Sequence, residues 1–145
     1  MYEYKVREVV KVVDGDTIDV VIDLGFSLFK EERVRLAGID APESRTRNLE
    51  EKELGLEAKK YLEEHLGAAK EIIISTEKDK EEGKFGRMLG WITLDDNVAS
   101  FNQIMIDRGY AWGYDGGSKK KDFEELRSKR NIDWNKNALE YGKSE

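Results

Sequence analysis

Residues 4–39, YKVREVVKVVDGDTIDVVIDLGFSLFKEERVRLAGI, carry the reading that decides the fold. The opening part, 4–13, is rich in valine and predicts a strand. Asp14-Gly15-Asp16 is a turn signal. From Thr17 to Leu24 the residues alternate. Ile18, Val20, Ile22 and Leu24 fall on one face, and Thr17, Asp19 and Asp23 on the other, which predicts a half-buried strand ended by Gly25. Phe26, Leu28 and Phe29 form an apolar loop or strand end, read as a lid on the core, with an exposed aromatic contact as the alternative. Arg33 to Ile39 is a third strand, with Val34 and Leu36 facing one way and Arg33 and Arg35 the other. Three closely connected antiparallel strands begin a small sheet or barrel.

Downstream, Leu54, Ala58, Leu62 and Leu66 recur at helical spacing, so a helix is expected over roughly Glu50 to Leu66, with Gly67 as its C-cap. Lys70 to Thr76 reads as a strand, Glu77 to Lys84 as a charged loop, and Arg87 to Leu94 as the fifth strand. Ser100 and Gln103 form a capping box for a second helix that Gly109 stops. An aromatic, lysine-ended loop follows. A last helix is expected from near Ser118, with Phe123, Leu126 and Trp134 inward. The order β-β-β-α-β-β-α-α is that of an α+β, β-rich fold: a five-stranded OB-type barrel with three helices. The expected organisation is one domain over residues 1–141 and a frayed tail over 142–145.

Composition narrows the function. A chain of 145 residues suits one domain with a real core. The absence of cysteine excludes disulfides and thiolate metal sites. No apolar run reaches membrane-span length, and the N-terminus lacks a signal-peptide layout. The expected location is therefore cytoplasmic, with a secreted form trimmed of its signal as the alternative. A net charge of −6 argues against coating nucleic acid by bulk attraction. It is compatible with gripping one or two phosphates through placed arginines. No helix carries a long coiled-coil seam, so a monomer is expected.

The chemistry-bearing residues cluster where the third strand ends. Pro42, the only proline, stiffens the turn that carries Asp40 and Glu43, and Ala41 leaves its carbonyl open. Asp16 precedes the second strand, and Asp40 follows the third. If those strands are neighbours, the two carboxylates meet at one barrel end and, with a carbonyl and water, make an all-oxygen cation site. Glu43 could activate a water as general base. Arg35 and Arg87 each offer a planar fork for phosphate oxygens. Each has a plain structural alternative: a turn aspartate bonding its own backbone, a solvated acid, a surface salt bridge.

Together, DGDT (14–17), RLAGIDAPE (35–43) and GKFGR (83–87) resemble the staphylococcal nuclease (thermonuclease) family in content, order and spacing. The resemblance continues through LGLEAKKYL (54–62) and ASFNQIMIDRGYAW (99–112), and covers about Lys5 to Arg130. It implies an OB barrel that hydrolyses phosphodiester bonds in DNA and RNA with calcium and leaves 3′-phosphate ends. Carried over by position, Asp16, Asp40 and the Ala41 carbonyl match the calcium ligands. Glu43 matches the general base, and Arg35 and Arg87 the phosphate-binding arginines. Lys84 matches a nucleotide-contacting lysine; Tyr114, with Trp112 nearby, matches the nucleotide pocket. Single strands or breathing duplex ends are the expected substrates. The chain departs from the family pattern in Ala41, where a threonine is usual, in its acidity, and in the tail after Arg130, which has no evident counterpart. The rival readings are a non-catalytic OB-fold module that binds nucleic acid or protein and, last, an acidic interaction domain.

Overall fold

The computed structural model describes residues 2–78, 88–115, 117 and 121–131. Its elements run β1 (Tyr2–Asp14), β2 (Thr17–Gly25), β3 (Leu28–Leu36), β4 (Ile39–Asp40), α1 (Leu49–Ala68), β5 (Ile72–Lys78), β6 (Met88–Leu94), α2 (Phe101–Asp107), β7 (Trp112–Gly113) and α3 (Phe123–Arg130). Five strands close into a barrel in the order β1-β2-β3-β6-β5, with β1 and β5 completing the ring. The OB-type barrel and its helices therefore stand as expected.

Closure follows from β1. It pairs with β5 through residues 2–5 and with β2 from Lys5 to Asp14, and its register to β2 shifts at three places. Each extra residue bends the strand and increases its twist, which a small barrel needs. Ile18, Val20, Val34, Leu36, Ile74 and Ile92 fill the interior. Ala58, Leu62 and Leu66 of α1 and Phe101, Ile104 and Met105 of α2 pack on the same core. Asn102 ties α2 to the barrel: its side-chain NH2 donates to the carbonyls of Ala37 and Gly90, and its oxygen accepts from Ile92 N–H. Leu54, Trp112 and Leu126 form a smaller cluster that seats α3.

Several expectations are corrected. The hairpin of β2 and β3 runs on to Gly25↔Leu28, so β3 starts well before Arg33. Phe26 stands 99% exposed at the tip, and Leu24, Leu28 and Phe29 are also exposed; they do not cover the core. The tip lies at the far end of β2 from Thr17. β3 ends at Leu36, where Gly38 (φ 77°) turns the chain into the separate strand β4. Helix α1 runs through Gly67 to Ala68; its cap is Ala69, whose N–H bonds the His65 carbonyl. Ser100 caps α2 through Gln103 N–H, but the Gln103 side chain turns forward to Asp107, so only half the capping box forms. Gly109 (φ 82°) ends that helix as expected. Helix α3 begins at Phe123 under an Asp122 cap. Ser118, Trp134 and the frayed tail of 142–145 lie outside the described residues. Among those described, no helix is long and apolar enough to cross a membrane.

Candidate functional site

Register brings the first two candidates together. Thr17 pairs with Arg35 across β2 and β3, and Leu36 N–H donates to the Asp16 carbonyl at 2.7 Å. Asp16, one residue before Thr17, therefore sits beside Arg35. Its side chain is held on both oxygens: Oδ1 accepts from the Thr17 hydroxyl and Oδ2 from Ala41 N–H at 3.0 Å. Gly15 permits this, since a Cβ there would lie 2.9 Å from the Cβ atoms of both Ala41 and Ala58. The turn can rest on the Ala41 segment only without a side chain at that position.

Arg35 links the two aspartates. Its Nη1 lies 3.4 Å from Asp16 Oδ2, its Nη2 lies 3.7 Å from Asp40 Oδ1, and Nη2 donates to the Ile39 carbonyl at 3.1 Å. The Arg35 side chain is only 16% exposed, and its guanidinium carbon stands 5.7 Å from the centre of the Tyr114 ring. The carboxylate separations are ion-pair distances, longer than a good hydrogen bond. Tyr114 is placed by β7, which pairs Asp40 with Trp112, and by its own N–H on the Gly38 carbonyl.

The Glu43 turn is clamped from below by α1. Gly55 lies so close that a Cβ would stand 2.4 Å from the Glu43 carbonyl oxygen. Glu43 N–H donates to Glu51 Oε2 at 3.0 Å, and the same oxygen takes Lys121 Nζ at 2.8 Å. Ser44 hydroxyl donates to Asp14 Oδ1, tying the far side of this turn to the end of β1. The bond to Glu51, first of all, holds the Lys121 ammonium above its usual range; burial opposes this, and Glu51, Glu43 and Asp40 attract the charge.

Thus Asp16, Arg35, Asp40, Ala41, Glu43 and Tyr114 stand at one end of the barrel. Trp112 is at that end but faces inward. It is 3% exposed, its Nε1–H donates to the Asp122 carbonyl, and its ring packs 6.0 Å from Phe123. The ring that the resemblance matched to the nucleotide pocket is thus buried under α3, where a large apolar side chain gains most. Lys84 and Arg87 lie outside the described residues. Glu51, Lys121 and Asn102 were not singled out from the sequence. Glu51 is one of many glutamates, and nothing local marks it as buried.

Among the described residues, no cluster of three or more His, Cys, Asp or Glu has a metal-holding arrangement. The available set is two carboxylates and a backbone carbonyl. Each carboxylate can accept about four bonds, so the contacts Asp16 already makes leave acceptor capacity. A hard cation that completes its shell with water suits such donors.

Comparison with known proteins gives the family. The family model described as staphylococcal nuclease homologue matches residues 33–139, which carries the likeness past Arg130. An uncharacterized protein of Methanocaldococcus jannaschii is 32% identical over 139 residues, covering 83% of this chain and 65% of that one. A protein named micrococcal nuclease, from Shigella flexneri, is 34% identical over 114 residues, covering 74% and 57%. One named thermonuclease, from Staphylococcus hyicus, is 32% identical over 105 residues, covering 72% and 56%. The chain thus spans roughly three-fifths of the length of these curated relatives.

Proposed function

The chain belongs to the staphylococcal nuclease family, and from that premise we propose that it is a calcium-dependent endonuclease of low sequence specificity. The observation that carries the reading is Arg35, set between Asp16 and Asp40 with Tyr114 beside it. Groups suited to phosphate recognition, cation ligation and base stacking meet there. Asp16, Asp40 and the Ala41 carbonyl would hold calcium, which supplies fixed positive charge against the phosphate oxygens.

The chain's own groups do the rest. Arg35 presents its remaining N–H donors to the equatorial oxygens of the phosphate being cleaved. Arg87, matched by the family resemblance, provides the second fork. Glu43 accepts the proton of the attacking water, and water attacks phosphorus in line with the leaving oxygen. Held donors of this kind stabilise the charge that grows on phosphorus without reorganising at the moment of reaction. Tyr114 stacks on the adjacent base, and because every base has a π-face it imposes little sequence preference. Single strands and breathing duplex ends are the preferred substrates, and the products carry 3′-phosphates.

The test is digestion of plasmid and single-stranded DNA and RNA with calcium, then with chelator, followed by analysis of product ends. Cleavage that calcium supports and chelator abolishes is expected, with R87A slower by about 10²–10³. An R87A protein that cuts at the wild-type rate contradicts the mechanism. A wild type that binds nucleic acid and never cuts it establishes the binding-module alternative.

A further inference from the structure

Glu51 is a carboxylate in an unusual place. It lies in the first turn of α1, where solvated acids are normal. Yet its side chain is only 5% exposed, whereas its neighbour Glu50 is 48% exposed. Capping does not explain the burial, because Asn48 already caps the helix by accepting from Glu51 N–H. A buried carboxylate is costly without partners. Here both described partners meet on one oxygen: the backbone N–H of Glu43 and the ammonium of Lys121. Lys121 comes from the segment just before α3, far along the chain, and remains 40% exposed. The contacts therefore run from the start of α3, through α1, to the backbone of the residue assigned as general base.

We propose that Lys121 is a positioning residue for hydrolysis, acting through Glu51 to fix the backbone of Glu43. The inference rests on the nuclease reading above. With Lys121 present, Glu51 keeps its charge inside and its oxygen on the Glu43 N–H. Without it, one neutral donor is left to offset a buried negative charge. The side chain then turns out to water and releases the Glu43 N–H. Gly55 keeps α1 against the turn from the other side, so the loss shows as misplacement of Glu43 rather than unfolding. Misplacement of about 1 Å in a catalytic group can cost about a hundredfold in rate.

The experiment uses the full chain as wild type, K121M and K121R. It reads steady-state cleavage of a single-stranded oligonucleotide in calcium, and hydrogen exchange at the Glu43 amide. The expected result is a kcat of K121M lower by about ten- to a hundredfold with KM little changed. The Glu43 amide of K121M exchanges faster, and K121R restores both readouts because a guanidinium can also bond Glu51. Wild-type kcat in K121M overturns the proposal, as does a raised KM at unchanged kcat, which would make Lys121 a substrate grip. Equal losses in K121M and K121R also overturn it. If the wild type does not cleave, the nuclease reading falls and this inference with it; an active wild type beside an unaffected K121M removes the inference alone.

Discussion

Arg35 has to satisfy two demands at once. It balances Asp16 and Asp40 in the free protein, and on the proposed mechanism it must also keep donors for a phosphate. The long separations to both carboxylates, 3.4 and 3.7 Å, meet the second demand. Replacement by lysine retains charge but not the planar fork. Kinetics of R35A and R35K should therefore both show losses in kcat, about 10²–10³ for R35A, with R35K closer to R35A than to wild type. A fully active R35K would show that charge alone suffices. At this scale the sequence was only partly legible. That Asp16, Arg35, Asp40 and Glu43 share one barrel end was legible, because a strand register and a rigid Ala41-Pro42 turn place them. The meeting of Glu51 and Lys121 was not, because it is a property of α1 and the α3 entry together. Trp112 stands two residues from Tyr114 in sequence, yet β7 sends its ring into the α3 cluster, which the sequence did not show.

Between elements, the governing contact is α1 against the Glu43 turn. In an exposed helix, glycine to alanine stabilises by about 1 kcal/mol. At Gly55 the new Cβ would meet the Glu43 backbone, so helix and turn must part. G55A is expected to lose about 1–3 kcal/mol in denaturant unfolding and to cut more slowly. A stabilised G55A with full activity would contradict this packing. The Lys121–Glu51 bond gives a pH signature. Its effect is to raise the folded-state value of Lys121 above the usual 10.5. The stability it contributes is therefore complete below that pH and is lost as the pH rises through the higher folded value. The stability difference between wild type and K121M should stay level from pH 7 to 9 and shrink only above about 10.5. A difference that disappears near neutrality would contradict the assignment. Element boundaries were legible where one face is buried, as in β2 and α1. The first half of β3 was missed because its hairpin arm is exposed on both faces and so has no alternation to read. Gly67 misled for a related reason: Leu66 is the last buried position of α1, and the exposed residues after it, Gly67 and Ala68, carry no apolar period to mark where the helix ends.

Across the molecule, the barrel turns remote sequence into one end-face. The turn between β1 and β2, the end of β3, β4 and the start of α1 all reach it, while the apolar hairpin tip projects elsewhere. The fold was legible as a whole because five strands and the helix after the third give a barrel order that few other arrangements satisfy. On the proposed reading, a net charge of −6 leaves local donors, rather than bulk attraction, to bind a nucleic acid. Activity should then depend on the acids proposed to hold calcium. Asp40 tests this best, since its side chain is 28% exposed and its replacement leaves the core untouched. The decisive measurement is the initial rate at which D40N cleaves a single-stranded oligonucleotide at saturating calcium, with circular dichroism showing the fold intact. The rate should fall to that of the wild type in chelator; a folded D40N that cleaves at the wild-type rate would contradict the account.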